Sequence, residues 1–186
     1  MGSPSAIVRV SFINGRRAAD RFAELLRQGF RTCRKPTRGS HSSLFRSADA
    51  FGVESIILCG FTPQPPHREI EKTALGATRS VPWTTAENAL EAVIAAKIAG
   101  YRTIGVEQTL NALSMGSVPG VAVGQIALVF GNELNGLSDV VIEACDACVI
   151  IPQHGSKHSL NVSVCAGVAL YAMTLPPVDK DHGTRT

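Results

Sequence analysis

Nothing in this 186-residue chain is apolar for long enough to span a bilayer. The longest uncharged apolar stretch, Val162 to Met173, falls short of the roughly 20 residues a spanning helix needs, and reads as a buried helix. No charged-then-apolar signal segment opens the sequence, and Met1 to Ala6 lacks the hydroxyl residue at the sixth position that a myristoylation signal requires. The expectation is a cytoplasmic protein with no membrane contact. Nucleotide fingerprints are missing too. No Gly-x-Gly-x-x-Gly follows a predicted strand and no Gly-Lys-Ser/Thr loop is present, which argues against dinucleotide and P-loop sites. A Gly-x-Ser-x-Gly elbow is absent, which argues against an α/β-hydrolase. Cysteines number five, an odd count that suits free thiols. Cys145-Asp-Ala-Cys148 has metal or redox spacing, but no second pair completes a four-ligand site, and Cys148 reads as a buried strand residue. His154 and His158 straddle Gly155 as loop residues, so no metal is expected.

What is present describes a globular protein of ordinary domain size: 45% of residues are hydrophobic and 18% charged. The net charge of +3 hides an asymmetry. Residues 1–46 hold ten Arg and Lys against Asp20 and Glu24, a net of +8, leaving a net of −5 for the remainder. A basic arm on an acidic body suits a polyanion-binding surface. An Arg-rich solvated helix face would give the same count, and charge alone leaves both readings open.

Periodicity predicts a short strand over Ala6 to Phe12, then an amphipathic helix from Gly15 to Gln28 with Ala18, Phe22, Leu25 and Leu26 on one face. Arg31 to His41 reads as basic loop, and Ser43 to Phe51 as helix. Strands are expected at Ile56 to Cys59, Thr103 to Glu107, Gln125 to Phe130 and Cys148 to Ile151. Helices are expected from Ala86 to Ala99, capped by Thr85 and stopped by Gly100, from Leu137 to Cys145, and from Ser159 to about Met173. This alternation implies an α/β fold, a mainly parallel sheet with helices on both faces. The expected organisation is a basic region over residues 1–40, a main domain over 41–175 and a flexible tail over 176–186, all within one structural domain.

The densest chemistry lies at two strand ends and one helix start. The strand Ile126 to Phe130 stops at Gly131 and exposes Asn132 and Glu133; a second strand stops at Pro152; Ser159 and Asn161 open the last helix. Sites in open α/β sheets sit at such carboxyl ends.

These residues carry a family resemblance. Phe130-Gly-Asn-Glu-Leu-Asn-Gly-Leu-Ser138 is similar to the second motif of the SpoU (TrmH-like) RNA 2′-O-ribose methyltransferases, within the SPOUT superfamily. Ile151-Pro152 with Ser159-Leu-Asn-Val-Ser163 is similar to the third, and Leu44 to Gly52 to the end of the first. Glu71 to Gly76 and Val81-Pro-Trp83 resemble the middle region, so the likeness runs from about Leu44 to Tyr171. The resemblance implies a C-terminal deep trefoil knot, a homodimer, S-adenosyl-L-methionine as cofactor and tRNA or rRNA as partner. It implies cofactor capture by backbone groups around Gly131, Ile151 and Leu160, with Ser159, Glu107 and Thr109 nearby. Glycine at 131 would allow an approach that a Cβ blocks, though a simple turn would also account for it. Arg46 is the implied catalytic arginine, with Glu133 and Asn132 organising it and the RNA, and Ser159 and Asn161 contacting substrate. Ser159 and Asn161 also suit plain capping roles. Arg34, Lys35, Arg38 and Ser40 are the implied RNA contacts.

The first motif departs from the family pattern, with Ser40 where an Asn is usual and Ser42 where a Gly is usual. Serine lacks the amide fork of asparagine, and Ser42 would be restricted if its φ were positive. A catalytically weak SAM- or RNA-binding protein of the same fold is therefore the alternative, with an unrelated α/β nucleotide-binding module a third.

Overall fold

Two strands read in sequence as unbroken apolar runs because both of their faces are covered. In the computed structural model, which describes residues 5–11, 41–60, 65, 74, 76–117, 124–131, 135–156 and 160–174, these are β2 (Ser55–Cys59) and β6 (Gln125–Phe130). Successive side chains of a strand point to opposite faces. Ile56, Leu58, Ile126, Leu128 and Phe130 enter one apolar layer, while Ile57, Cys59, Ala127 and Val129 enter the other. Helices α1 (His41–Ala50) and α5 (Val162–Thr174) pack on each other in the first layer. Helices α3 (Ala89–Ile98) and α4 (Asp139–Ala144) cover the second. The short α2 (Ala77–Ser80) is a further helix among the described residues and was not foreseen.

The remaining strands are β1 (Ser5–Ser11), β3 (Trp83–Ala86), β4 (Arg102–Val106), β5 (Leu113–Ser114) and β7 (Ala147–Ile150). The sheet order is β3-β2-β1-β6-β4-β7-β5. Four of its six pairings are parallel; β1 alone runs antiparallel, to β2 on one side and β6 on the other. The expected mainly parallel α/β sheet with helices on both faces is thus present. One interior strand, β1, comes from the basic N-terminal region and lies between β2 and β6, so the boundary drawn at residue 40 divides composition, not the sheet.

Two element boundaries differ from expectation for local reasons. Thr85 caps nothing: it lies in β3, paired with Leu58, where a β-branched side chain suits the pleat. The N-cap of α3 is Asn88, whose Oδ1 accepts from Glu91 N at 2.9 Å. The other end is as read, with Gly100 at φ 91° and a Schellman pair, Tyr101 N to Ala96 O at 3.0 Å and Gly100 N to Lys97 O at 2.9 Å. Helix α5 begins at Val162, later than Ser159, because Asn161 supplies the cap. The expected helix over residues 15–28 lies outside the described residues, as does the tail.

Candidate functional site

The parallel strands β4, β6 and β7 end on one edge of the sheet, and α5 begins beside them. Between them lies a cleft of about 260 Å³, close to the lower end of the range for small-molecule sites. Val106 and Glu107 reach it from β4, Phe130 and Gly131 from β6, and Ile150 and Ile151 from β7. Leu160, Val162 and Cys165 close it from the start of α5. Of the residues implied for cofactor binding, Glu107, Gly131, Ile151 and Leu160 therefore meet around one space. Thr109 is not in the lining; it lies near the Cys148 thiol instead.

Backbone geometry makes the cleft. Gly131 is a steric requirement, although the approach it permits is the protein's own: a Cβ there would collide with the backbone of Gly136 and Leu137. Gly136 needs glycine twice over, since its φ is 62° and a Cβ would strike the Glu107 carboxylate. That carboxylate accepts from Leu137 N at 2.8 Å through Oε2 and from Gln108 N at 2.9 Å through Oε1.

Glu107 and Cys165 are the only ionisable groups among the described lining residues. Burial, with the Glu107 charge adding to it, pushes the Cys165 thiol up to about 11, so it is neutral at physiological pH. Cys148 stands on β7, in a strand as expected but partly exposed where burial was expected, and burial still pushes its thiol up. Cys145 is pushed up to about 12 by burial and its neighbour Cys148, and both are unpaired thiols. They flank Gly105, whose missing Cβ would sit 3.1 Å from Cys148 Sγ and 3.6 Å from Cys145 Sγ.

On the ribose side the sequence was less complete a guide. Arg46 is exposed on α1, whose buried Leu44, Phe45 and Ala48 hold the helix in the core. Asn161 is a cap: its Oδ1 accepts from Ser163 N at 3.0 Å and from Ser163 Oγ at 2.6 Å. Ser42 falls inside the first turn of α1, so serine meets no left-handed backbone there. Asn132, Glu133, Ser159, Arg34, Lys35, Arg38 and Ser40 lie outside the described residues. Lining residues not among those expected for the cofactor include Gly136, Cys165 and Gln153. Cys165 was findable, since it stands one helical turn beyond Asn161; for Gln153 there was no signal beyond its position after Pro152.

The model of the SpoU rRNA methylase family matches residues 38–171, most of the chain. The chain belongs to the SpoU rRNA methylase family. Two curated members similar to it are the 23S rRNA (guanosine-2'-O-)-methyltransferases RlmB of Vibrio cholerae and Ralstonia nicotianae. The first is 32% identical over 68% of this chain and 50% of its own length; the second is 35% identical over 68% and 49%. Among solved structures, the AdoMet-bound rRNA methyltransferase from Sinorhizobium meliloti superposes with a TM-score of 0.68 at 25% identity, covering 74% of this chain and 52% of that one. This SpoU-family chain thus spans about half the length of the curated relatives it matches. Among its described residues, no helix is long and apolar enough to cross a membrane.

Proposed function

We propose that this SpoU-family protein transfers a methyl group from S-adenosyl-L-methionine to a ribose 2′-hydroxyl of RNA, tRNA or rRNA, with the RlmB relatives favouring a guanosine in rRNA. The observation that carries the reading is the meeting of Gly131, Ile151 and Leu160 around one cleft, inside the region matched by the family. The residues fit such a cofactor. Apolar walls from Phe130, Ile150, Val162 and Leu160 suit an adenine ring, and the Gly131 end of β6 supplies close-set backbone donors and acceptors.

The cofactor supplies an electrophilic methyl group on a sulfonium sulfur. Around it the chain's residues position and orient, because in-line attack by a weakly acidic hydroxyl depends on geometry. Arg46, with its planar fork of donors, orients the ribose and the adjacent phosphate. Glu133 and Asn132 organise Arg46 and the RNA, and Ser159 and Asn161 contact the substrate from the start of α5. Arg34, Lys35, Arg38 and Ser40 bind RNA phosphates from the basic region over residues 1–40.

The fold reading extends to a trefoil knot and a homodimer. Strand β7 fills the place between β4 and β5, two strands adjacent in sequence, as threading of the C-terminal segment would require. Val164, Val168 and Tyr171 leave an exposed apolar stripe on α5, which suits a second copy of the chain. Neither membrane nor metal enters this reading, and the place of action is the cytoplasm.

The test is transfer of labelled methyl from S-adenosyl-L-methionine to total RNA, with the modified ribose mapped by mass spectrometry. Label in a 2′-O-methylnucleotide that is lost in Arg46→Ala supports the proposal; label elsewhere, or retained in that variant, overturns the assignment. Serine at position 40 favours a second reading, a weak SAM- or RNA-binding protein. Calorimetric binding without turnover, restored to activity by Ser40→Asn, would select it.

A further inference from the structure

Glu107 stands where three strand ends meet. Its backbone N–H donates to Val149 O at 3.1 Å, carrying the β4–β7 ladder one residue beyond β4. Its side chain turns toward the segment that leaves β6, where Oε2 accepts from Leu137 N at 2.8 Å. The contact is nested. The carboxylate occupies the space that a Cβ on Gly136 would fill, and the Gly136–Leu137 backbone occupies the space that a Cβ on Gly131 would fill. One residue therefore ties the ends of β4, β6 and β7 around the cleft that Glu107, Gly131 and Gly136 line.

We infer that Glu107 is a positioning residue: through its bond to Leu137 N it holds the Gly136–Leu137 backbone against Gly131 at one wall of the cleft. The effect on cofactor binding rests on the methyltransferase reading; the clamp is a property of the free protein and stands apart from it. A carboxylate could instead act on a cationic cofactor through its charge, and two substitutions separate these roles. Glu107→Gln keeps the reach and an oxygen to accept from Leu137 N, but loses the charge. Glu107→Asp keeps the charge and is one methylene too short to reach.

The full chain is used throughout. Exchange of the Leu137 amide is followed by NMR without ligand, with Leu128 and Val129 in β6 as internal references. In Glu107→Asp the loss of the bond is expected to speed Leu137 exchange by about tenfold and leave the references unchanged. The KM for S-adenosyl-L-methionine should rise by about tenfold, with kcat within about threefold. Glu107→Gln should keep Leu137 exchange within about threefold of wild type. Gly136→Ala, which pushes against the carboxylate, should resemble Glu107→Asp, and the double variant should be no worse than either single one. A Gln variant more impaired than the Asp variant would overturn the clamp in favour of charge. Exchange that quickens equally at Leu128 and Leu137 would overturn it in favour of general destabilisation. If wild type binds no S-adenosyl-L-methionine while Leu137 exchange responds as stated, the functional reading fails and the clamp survives.

Discussion

The edge of the sheet at β4, β6 and β7 and the helix that presents Arg46 are built by opposite means. The edge is made of backbone: Gly131 and Gly136 interlock with Leu137, and a carboxylate holds them from the side. Its shape is set before any ligand arrives. Arg46 is an exposed, long side chain on a helix whose buried residues fix the helix axis and nothing beyond it. One region is shaped by geometry, the other carries a charge with room to move. Rigid backbone suits a ligand that is the same in every turnover, and an adjustable cation suits a large polyanion that must dock and leave.

The largest effect that would break this contrast comes from Gly131→Ala. A Cβ there meets backbone on the far side, so affinity for S-adenosyl-L-methionine should fall by about 100-fold or more in calorimetry. Unchanged affinity would show that the edge is pliable. Next in size, Arg46→Ala should lower kcat for RNA methylation by about 100-fold while leaving cofactor affinity within about twofold. A large loss of cofactor affinity in that variant would merge the two regions into one.

Asn161→Ala sharpens the boundary between them. Its amide caps α5 through Ser163 N, so chemical denaturation should report a loss of about 1 kcal/mol. Unchanged stability would remove the cap and leave Asn161 with a substrate contact alone. The smallest effect lies far from both regions, at the start of β7. Burial tends to push the Asp146 carboxyl up, but Lys97 at 2.8 Å and the Thr103 N–H and hydroxyl outweigh it and hold it below the usual carboxylate range. A lowered folded value means that the stability it contributes is full above the unfolded value, about 3.9, and is lost as pH falls through the folded one. Asp146→Asn should therefore flatten the acid side of the stability curve below about pH 4, by roughly 1 kcal/mol or less given the exposure of the pair.

The strand-end half of this contrast was readable in the chain, since a buried strand that stops at glycine leaves a periodic signature. Gln125 to Phe130 came out with its boundaries intact, and Gly131 with its steric role. The object that role serves was not readable, because the partner backbone at Gly136 and Leu137 arrives through a turn whose left-handed φ has no periodicity. Glu107 was placed at the cleft, but its bond to Leu137 spans thirty positions and no local pattern encodes such a distance. Cap residues were misread for a related reason. Thr85 and Asn88 are both competent caps, and pairing of Thr85 with Leu58 across the sheet decided between them. The antiparallel β1 was invisible for the same cause: alternation shows that a strand exists, never which way its neighbours run.

That strand also sets the order in which the molecule can be completed. Ile7 and Val8 find their partners on one side at Ile57 and Ile56, and on the other at Val129 and Leu128. A chain leaving the ribosome from its N-terminus holds Ser5–Ser11 half-paired until β6 has been synthesised, more than a hundred residues later. Pairings so distant in sequence close slowly and leave an open strand edge exposed meanwhile. Lengthening the stretch between β2 and β6 should therefore prolong the interval in which that edge is open.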